Sequence, residues 1–225
     1  VTTTTEASAP AAWIPVHRNG IDAIAAGVIA SALGAFGVAA GVAGVFGPAR
    51  SLSIGWLLPL SGVYLRLDRL GGFFAAVTGA VAIPVGIYLV GYARREHLGR
   101  LPVWLVPVFV AAMLLVPMAG SVTTFLWGWE SMAIASLVLV FTEHHRSAAR
   151  SAAVFYAVMT QLGFVAILVG LLVASAAAGG ANRFDAITGV PQGTRAVVFV
   201  LTVAGFGSKA GLVPVHAWLP RAHPE

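Results

Sequence analysis

A helix crosses the roughly 30 Å hydrocarbon layer of a bilayer with about 20 apolar residues, and this chain holds six runs of that kind. They extend from Ile21 to Gly47, Leu70 to Tyr92, Pro102 to Gly120, Ser121 to Thr142, Ser151 to Ala178 and Arg195 to Pro214. Asp22 interrupts the first only at its start, while Glu130 lies inside the fourth and Lys209 inside the sixth. Only 9% of the 225 residues are charged, against about 25% in an ordinary soluble domain. So few charges cannot coat a water-facing surface of this size. The expected fold is therefore all-α: a polytopic transmembrane helical bundle of about six spans.

The basic balance of +5 does not indicate nucleic acid, because the arginines are scattered between apolar runs, where they flank a membrane. Seven accompany the N-terminus (Arg18, Arg94, Arg95, Arg100, Arg146, Arg150, Arg221) and five lie opposite (Arg50, Arg66, Arg69, Arg183, Arg195). The positive-inside rule assigns the N-terminus to the cytoplasm. Residues 1–20 are polar and threonine-rich. The apolar run behind them is too long for the roughly 7 to 15 residues of a signal-peptide core, so an uncleaved first helix is expected. Residues 21–225 read as one membrane domain. Arg50 to Arg69, apolar but broken by Pro59, reads as an interfacial loop. Gly37 and Gly41 form a GxxxG step beside Gly34 and Gly44, which lets another helix backbone come close.

With no cysteine in the chain, disulfides, thiolate metal sites and cysteine nucleophiles are excluded. No cofactor and no metal is expected. The residues that stand out are Glu130 and Lys209, since a charged side chain at the bilayer centre costs roughly 2.5–3.5 kcal/mol on insertion scales. Glu130 lies about 14 Å into its span at 1.5 Å per residue. Desolvation disfavours the charged form of an acid and of a base alike. Two such groups on neighbouring helices can form a gated proton relay or a static buried ion pair, and the residues alone leave both open.

Gly205, Gly207, Gly211 and Pro214 surround Lys209. Proline removes a backbone donor, so a discontinuous helix is expected there, of the kind tolerated where freed backbone lines a cavity. Gly207-Ser208-Lys209 lacks the spacing of a phosphate loop, so nucleotide binding is set aside. His216, just past the expected break, is a further candidate proton station, and His223 a weaker one. His144 and His145 lack the spacing of helical metal ligands. Trp127 and Trp129 flank Glu130 and either shape its pocket or pack against lipid; Gly207 and Pro214 do the same for Lys209. Tyr88, Tyr92 and Trp104 read as interface anchors.

Three segments carry a family resemblance. The run Phe206-Gly207-Ser208-Lys209-Ala210-Gly211-Leu212-Val213-Pro214-Val215-His216-Ala217-Trp218-Leu219-Pro220-Arg221-Ala222-His223-Pro224 resembles the lysine-helix motif of the antiporter-like subunits of respiratory complex I, Mrp-type sodium/proton antiporters and membrane-bound hydrogenases. Its form is most similar to the hydrogenase-4 and formate hydrogenlyase branch. Phe125-Leu126-Trp127-Gly128-Trp129-Glu130-Ser131-Met132 resembles the family's glutamate element, and Leu67-Asp68-Arg69-Leu70-Gly71-Gly72-Phe73-Phe74 resembles the segment that opens its next helix.

The resemblance implies that Glu130 and Lys209 are the charge pair of one proton half-channel, in a subunit whose redox chemistry lies elsewhere. It implies partner membrane subunits of a complex I-like or hydrogenase complex, a multi-pass position in the inner (plasma) membrane, and protons or Na+ as cargo. Family members are far longer and carry a second inverted repeat. The expectation is thus a partial domain: a fragment, a split subunit, or a degenerate copy serving as a non-pumping anchor.

Overall fold

The structure, a computed structural model, describes residues 17–57, 61–142 and 147–213. Pro214, His216 and His223, the histidines at 144 and 145, Pro59 and residues 1–16 lie outside this set. Six helices follow in order: α1 (His17–Phe46), α2 (Arg69–Arg95), α3 (Arg100–Met118), α4 (Val122–Phe141), α5 (Ser147–Ala177) and α6 (Gln192–Ala210). Each coincides with one predicted run. Among the described residues, five of them, α1 to α5, are long and apolar enough to cross a membrane. The sixth, α6, is a 19-residue helix that carries Gln192, Arg195 and Lys209.

Large apolar side chains point outward on these helices, Phe36, Val81 and Leu162 among them, while Ala23, Ala26, Ala30 and Ala75 are fully buried. This is the inverse of a soluble bundle. In lipid, close helix contact comes from small residues and van der Waals packing rather than from sequestering large apolar groups. The seam between α1 and α2 follows the same rule. Glycines seven residues apart meet across the antiparallel pair, Gly27 against Gly86, Gly34 against Gly79, and Gly41 against Gly72. A Cβ at Gly79 would lie 2.4 Å from the Gly34 carbonyl oxygen and 2.6 Å from the Val38 nitrogen. Ser31 adds a hydrogen bond from its hydroxyl to the Ile83 carbonyl, 3.1 Å. Both glycines of the expected GxxxG step face α2: Gly41 abuts it, and a Cβ at Gly37 would lie 3.1 Å from the Ala75 carbonyl oxygen and strike Leu114 of α3 at 2.6 Å.

The segment between α1 and α2, expected as an interfacial loop, folds into a β-hairpin. Strand β1 (Arg50–Ile54) pairs antiparallel with β2 (Val63–Leu67), Arg50 opposite Leu67 and Ile54 opposite Val63. The free edge of β2 is closed by the tight α3–α4 turn. Gly120 donates its N–H to the Tyr64 carbonyl at 2.9 Å, and Tyr64 donates its own to Thr124 Oγ1 at 3.0 Å. Ser121 caps α4 by accepting from the Thr124 N–H, 3.3 Å, which satisfies one of the helix's orphan donors. Asp68 caps α2 through Gly71 N–H, 2.9 Å.

The α5–α6 connection joins this end of the bundle. Val122 and Phe184 donate to the carbonyls of Asn182 and Gly120 at 2.8 and 3.1 Å. Arg66 and Arg183 both bind the Asp185 carboxylate, and the Arg183 guanidinium lies 4.3 Å from the Tyr64 ring centre. At the opposite end Asp22 pairs with the Arg100 guanidinium, 2.9 Å apart, and accepts from the Trp104 indole at 3.1 Å. Trp104 therefore does more than anchor an interface, and the one acid at the start of the first span has its partners.

The hydrogen bond from Arg183, followed by the charges of Arg183 and Arg66, holds the Asp185 carboxyl below its ordinary range. A depressed carboxylate stabilises the fold above its unfolded-state value and loses that contribution as pH falls through the folded one. Proteolytic nicking of residues 178–191 in membranes should therefore stay constant from neutral pH down to about pH 4 and rise only below that. Asp185→Asn should show the raised nicking already at pH 7.

Candidate functional site

Helices α4, α5 and α6 bring Glu130 and Lys209 to the same bundle. Glu130 lies eight residues into α4, about 12 Å from its first residue. Its Oε1 accepts a hydrogen bond from Gln161 of α5 at 2.7 Å. Its Oε2 is buried and has no hydrogen-bond partner among the described residues. Buried polar atoms are nearly always paired, which sets this oxygen apart.

Lys209 donates from Nζ to the Tyr156 hydroxyl at 2.6 Å. Tyr156, 5% exposed, shares a hydrogen bond of 2.7 Å with Ser136 Oγ, and Ser136 donates in turn to the Ala133 carbonyl at 2.8 Å. Lys209 of α6 is thus linked through Tyr156 of α5 to Ser136 of α4. Between Glu130 and Lys209 themselves there is no ion pair within 4 Å. Gln161 and Tyr156 are five residues apart on α5, so the two sites lie in layers offset by about 8 Å.

The end of α6 explains the position of the lysine. Gly211 takes up a left-handed conformation (φ 72°), and its N–H bonds to the carbonyls of Gly207 and Ser208; Leu212 N–H also bonds to Gly207 O, at 2.9 Å. Glycine carries no penalty in this conformation, so the helix stops one residue after Lys209. The stop is made by Gly211, upstream of Pro214. Tyr156, level with Lys209, lies nine residues after Ser147, so α5 runs on about 14 Å past the level at which α6 ends. Lys209 is therefore both at a helix end and inside the bundle.

The remaining predicted site residues separate. Trp129 packs against Phe125 and Phe206, ring centres 5.6 and 5.1 Å away, and so joins α4 to α6 beside Glu130. Trp127 is 59% exposed and turned outward, as lipid packing requires. Gly207 serves the helix cap as an acceptor, while the close approach of α5 and α6 belongs to Gly205, where a Cβ would meet Ile167 Cγ1 at 2.5 Å and the Gly163 carbonyl oxygen at 2.6 Å. Sequence reasoning missed Gln161, Tyr156 and Ser136. The first two form a polar step within the span Ser151 to Ala178, which was marked only for its lack of charge. Among the described residues no group of three or more His, Asp or Glu side chains is placed to hold a metal.

Five helices long and apolar enough to cross a membrane, a half-satisfied Glu130 within the bundle and a sixth helix that ends beside Lys209 define a polytopic membrane protein with polar groups between its helices. Residues 119–225 match the family described as NADH:quinone oxidoreductase/Mrp antiporter, TM, and over that stretch the chain is similar to its antiporter-like membrane subunits. It is 68% identical over 201 residues to the uncharacterized protein Rv0083 of Mycobacterium tuberculosis (strain ATCC 25618 / H37Rv), covering 89% of this chain and 31% of that one. It is 29% identical over 163 residues to hydrogenase-4 component B of Escherichia coli (strain K12), covering 71% of this chain and 24% of that protein. Its fold superposes with a TM-score of 0.72 on a chain in the structure of the Mrp complex from Dietzia sp. DQ12-45-1b, at 19% identity, over 93% of this chain and 40% of that chain. The chain thus spans about a third or less of these curated relatives.

Proposed function

We propose that this chain forms part of a proton-translocating or Na+/H+-translocating subunit in a redox-driven complex of the hydrogenase or NADH:quinone oxidoreductase type, seated in the plasma membrane beside partner membrane subunits. Glu130 and Lys209 act as its proton-relay pair, with His216, seven residues after Lys209 in the sequence, as the next proton station. The observation that carries the reading is that, among the described residues, Glu130 and Lys209 have no counter-ion within 4 Å, Glu130 keeping one buried oxygen unbonded and Lys209 bonding the Tyr156 hydroxyl. A static buried ion pair is held in place by mutual charge. Groups held by neutral partners instead can change charge without breaking the helix packing, which a relay requires.

The test is proton uptake by everted membrane vesicles containing the full-length protein with its partner subunits, followed with a pH-sensitive dye. Glu130→Gln preserves shape and the Gln161 contact while removing the exchangeable proton, and uptake should fall to the level of vesicles without the protein. Uptake at the wild-type rate in this variant would overturn the relay and leave a membrane anchor.

A further inference from the structure

Granting the proposed role of Lys209, we infer that the Tyr156 and Ser136 hydroxyls are positioning residues that report the protonation state of Lys209 to the helix carrying Glu130. The direction of the hydrogen bonds supplies the argument. With the Ser136 proton on the Ala133 carbonyl, 2.8 Å away, Tyr156 is the donor in the shared bond of 2.7 Å. The tyrosine oxygen then faces Lys209 as an acceptor, at 2.6 Å from the ammonium. Three donors thus point one way, from α6 through α5 to α4, which is the arrangement for a charged lysine.

When Lys209 gives up its proton, its nitrogen gains a lone pair and becomes a better acceptor than donor toward a phenol. The Tyr156 O–H turns to the amine, and the Ser136 O–H turns from Ala133 to the tyrosine oxygen. Each hydroxyl keeps its own proton; only the direction of the bonds reverses. The change ends at the Ala133 carbonyl, a buried point on α4 one turn from Glu130. Two groups in layers about 8 Å apart are thereby coupled through hydrogen bonds rather than through an ion pair.

The experiment is the same vesicle assay on the full-length protein, with Tyr156→Phe, Ser136→Ala, the double variant, Ser136→Thr, and Lys209→Ala as reference. Tyr156→Phe keeps the ring and its packing, and protein levels in the membrane should be unchanged. Each hydroxyl deletion should slow Lys209-dependent uptake about tenfold, the scale of losing a hydrogen bond to a charged group. The double variant should be no slower than the worse single one, because the two hydroxyls act as one unit, and Ser136→Thr should restore uptake to within about twofold of wild type. The inference is overturned if Tyr156→Phe is silent, if the single losses multiply in the double variant, or if threonine is as impaired as alanine at 136. Loss of uptake in Lys209→Ala alongside a silent Tyr156→Phe removes this inference and leaves the proposed relay standing. Wild-type uptake in Lys209→Ala removes both.

Discussion

Gly79→Leu is expected to prevent α1 and α2 from assembling, with little folded protein recovered from membranes. The expectation rests on backbone contact. The glycines at 27, 34 and 41 of α1 meet those at 86, 79 and 72 of α2, and a Cβ at 79 would come within 2.4 Å of a carbonyl oxygen that belongs to the opposite helix backbone. A flexible side chain could turn away from such a clash; a helix backbone cannot. Even alanine must push the helices apart, at a cost of about 1–3 kcal/mol for an overpacked site, and leucine adds a branched chain that the seam has no room for. The effect spreads because the three glycine pairs lie on one line, and parting the helices at the middle pair loosens the other two. In lipid no gain from burying large apolar groups replaces the lost packing. Gly91→Ala is the matched control on the same helix, since a Cβ there meets nothing within 4 Å. Thermal unfolding of the detergent-solubilised protein should give a graded loss from Gly91→Ala through Gly79→Ala to Gly79→Leu. Equal melting of all three would refute the contact.

The second large effect is expected at Lys209. Lys209→Ala should reduce proton uptake at least about 100-fold, the scale of losing a positioned acid–base group, while Lys209→Arg should restore little of it. Arginine can reach the same hydroxyl and carries the same charge, but its guanidinium does not release a proton in proteins. A residue required only for its charge, or for fixing helix packing, would be rescued by arginine. A residue required to give up and regain a proton would not. The geometry behind this expectation is that Nζ meets the Tyr156 hydroxyl and the helix ends at Ala210, one residue on, where Gly211 turns the chain.

The membrane architecture is legible in the sequence because the bilayer imposes it. Runs of 20 apolar residues have one stable solution in hydrocarbon, and each helix coincides with a predicted run to within a few residues. The hairpin was not legible as such. The sequence around it reads as a loop, yet Val63, Leu65 and Leu67 alternate with Tyr64 and Arg66, the period of a strand. The glycine seam was half visible: GxxxG marks Gly37 and Gly41, while the seven-residue spacing that pairs 34 with 79 appears only when two helices are read together. Glu130 and Lys209 stood out because an intramembrane charge has no ordinary explanation. Their partners did not, because Gln161, Tyr156 and Ser136 are neutral and common at helix interfaces, and which of them faces a charge is settled by helix rotation and depth. Those are properties of the assembled bundle.

The central claim is that Glu130 changes its protonation state in step with Lys209. Infrared difference spectroscopy on vesicles containing the full-length protein and its partners, with and without an imposed proton-motive force, reads this directly through the C=O stretch of a protonated carboxyl group. A carboxyl difference band is expected in the wild type that disappears in Glu130→Gln and is lost or displaced in Lys209→Ala. A band unchanged in Glu130→Gln, or one that persists unaltered in Lys209→Ala, would contradict the claim.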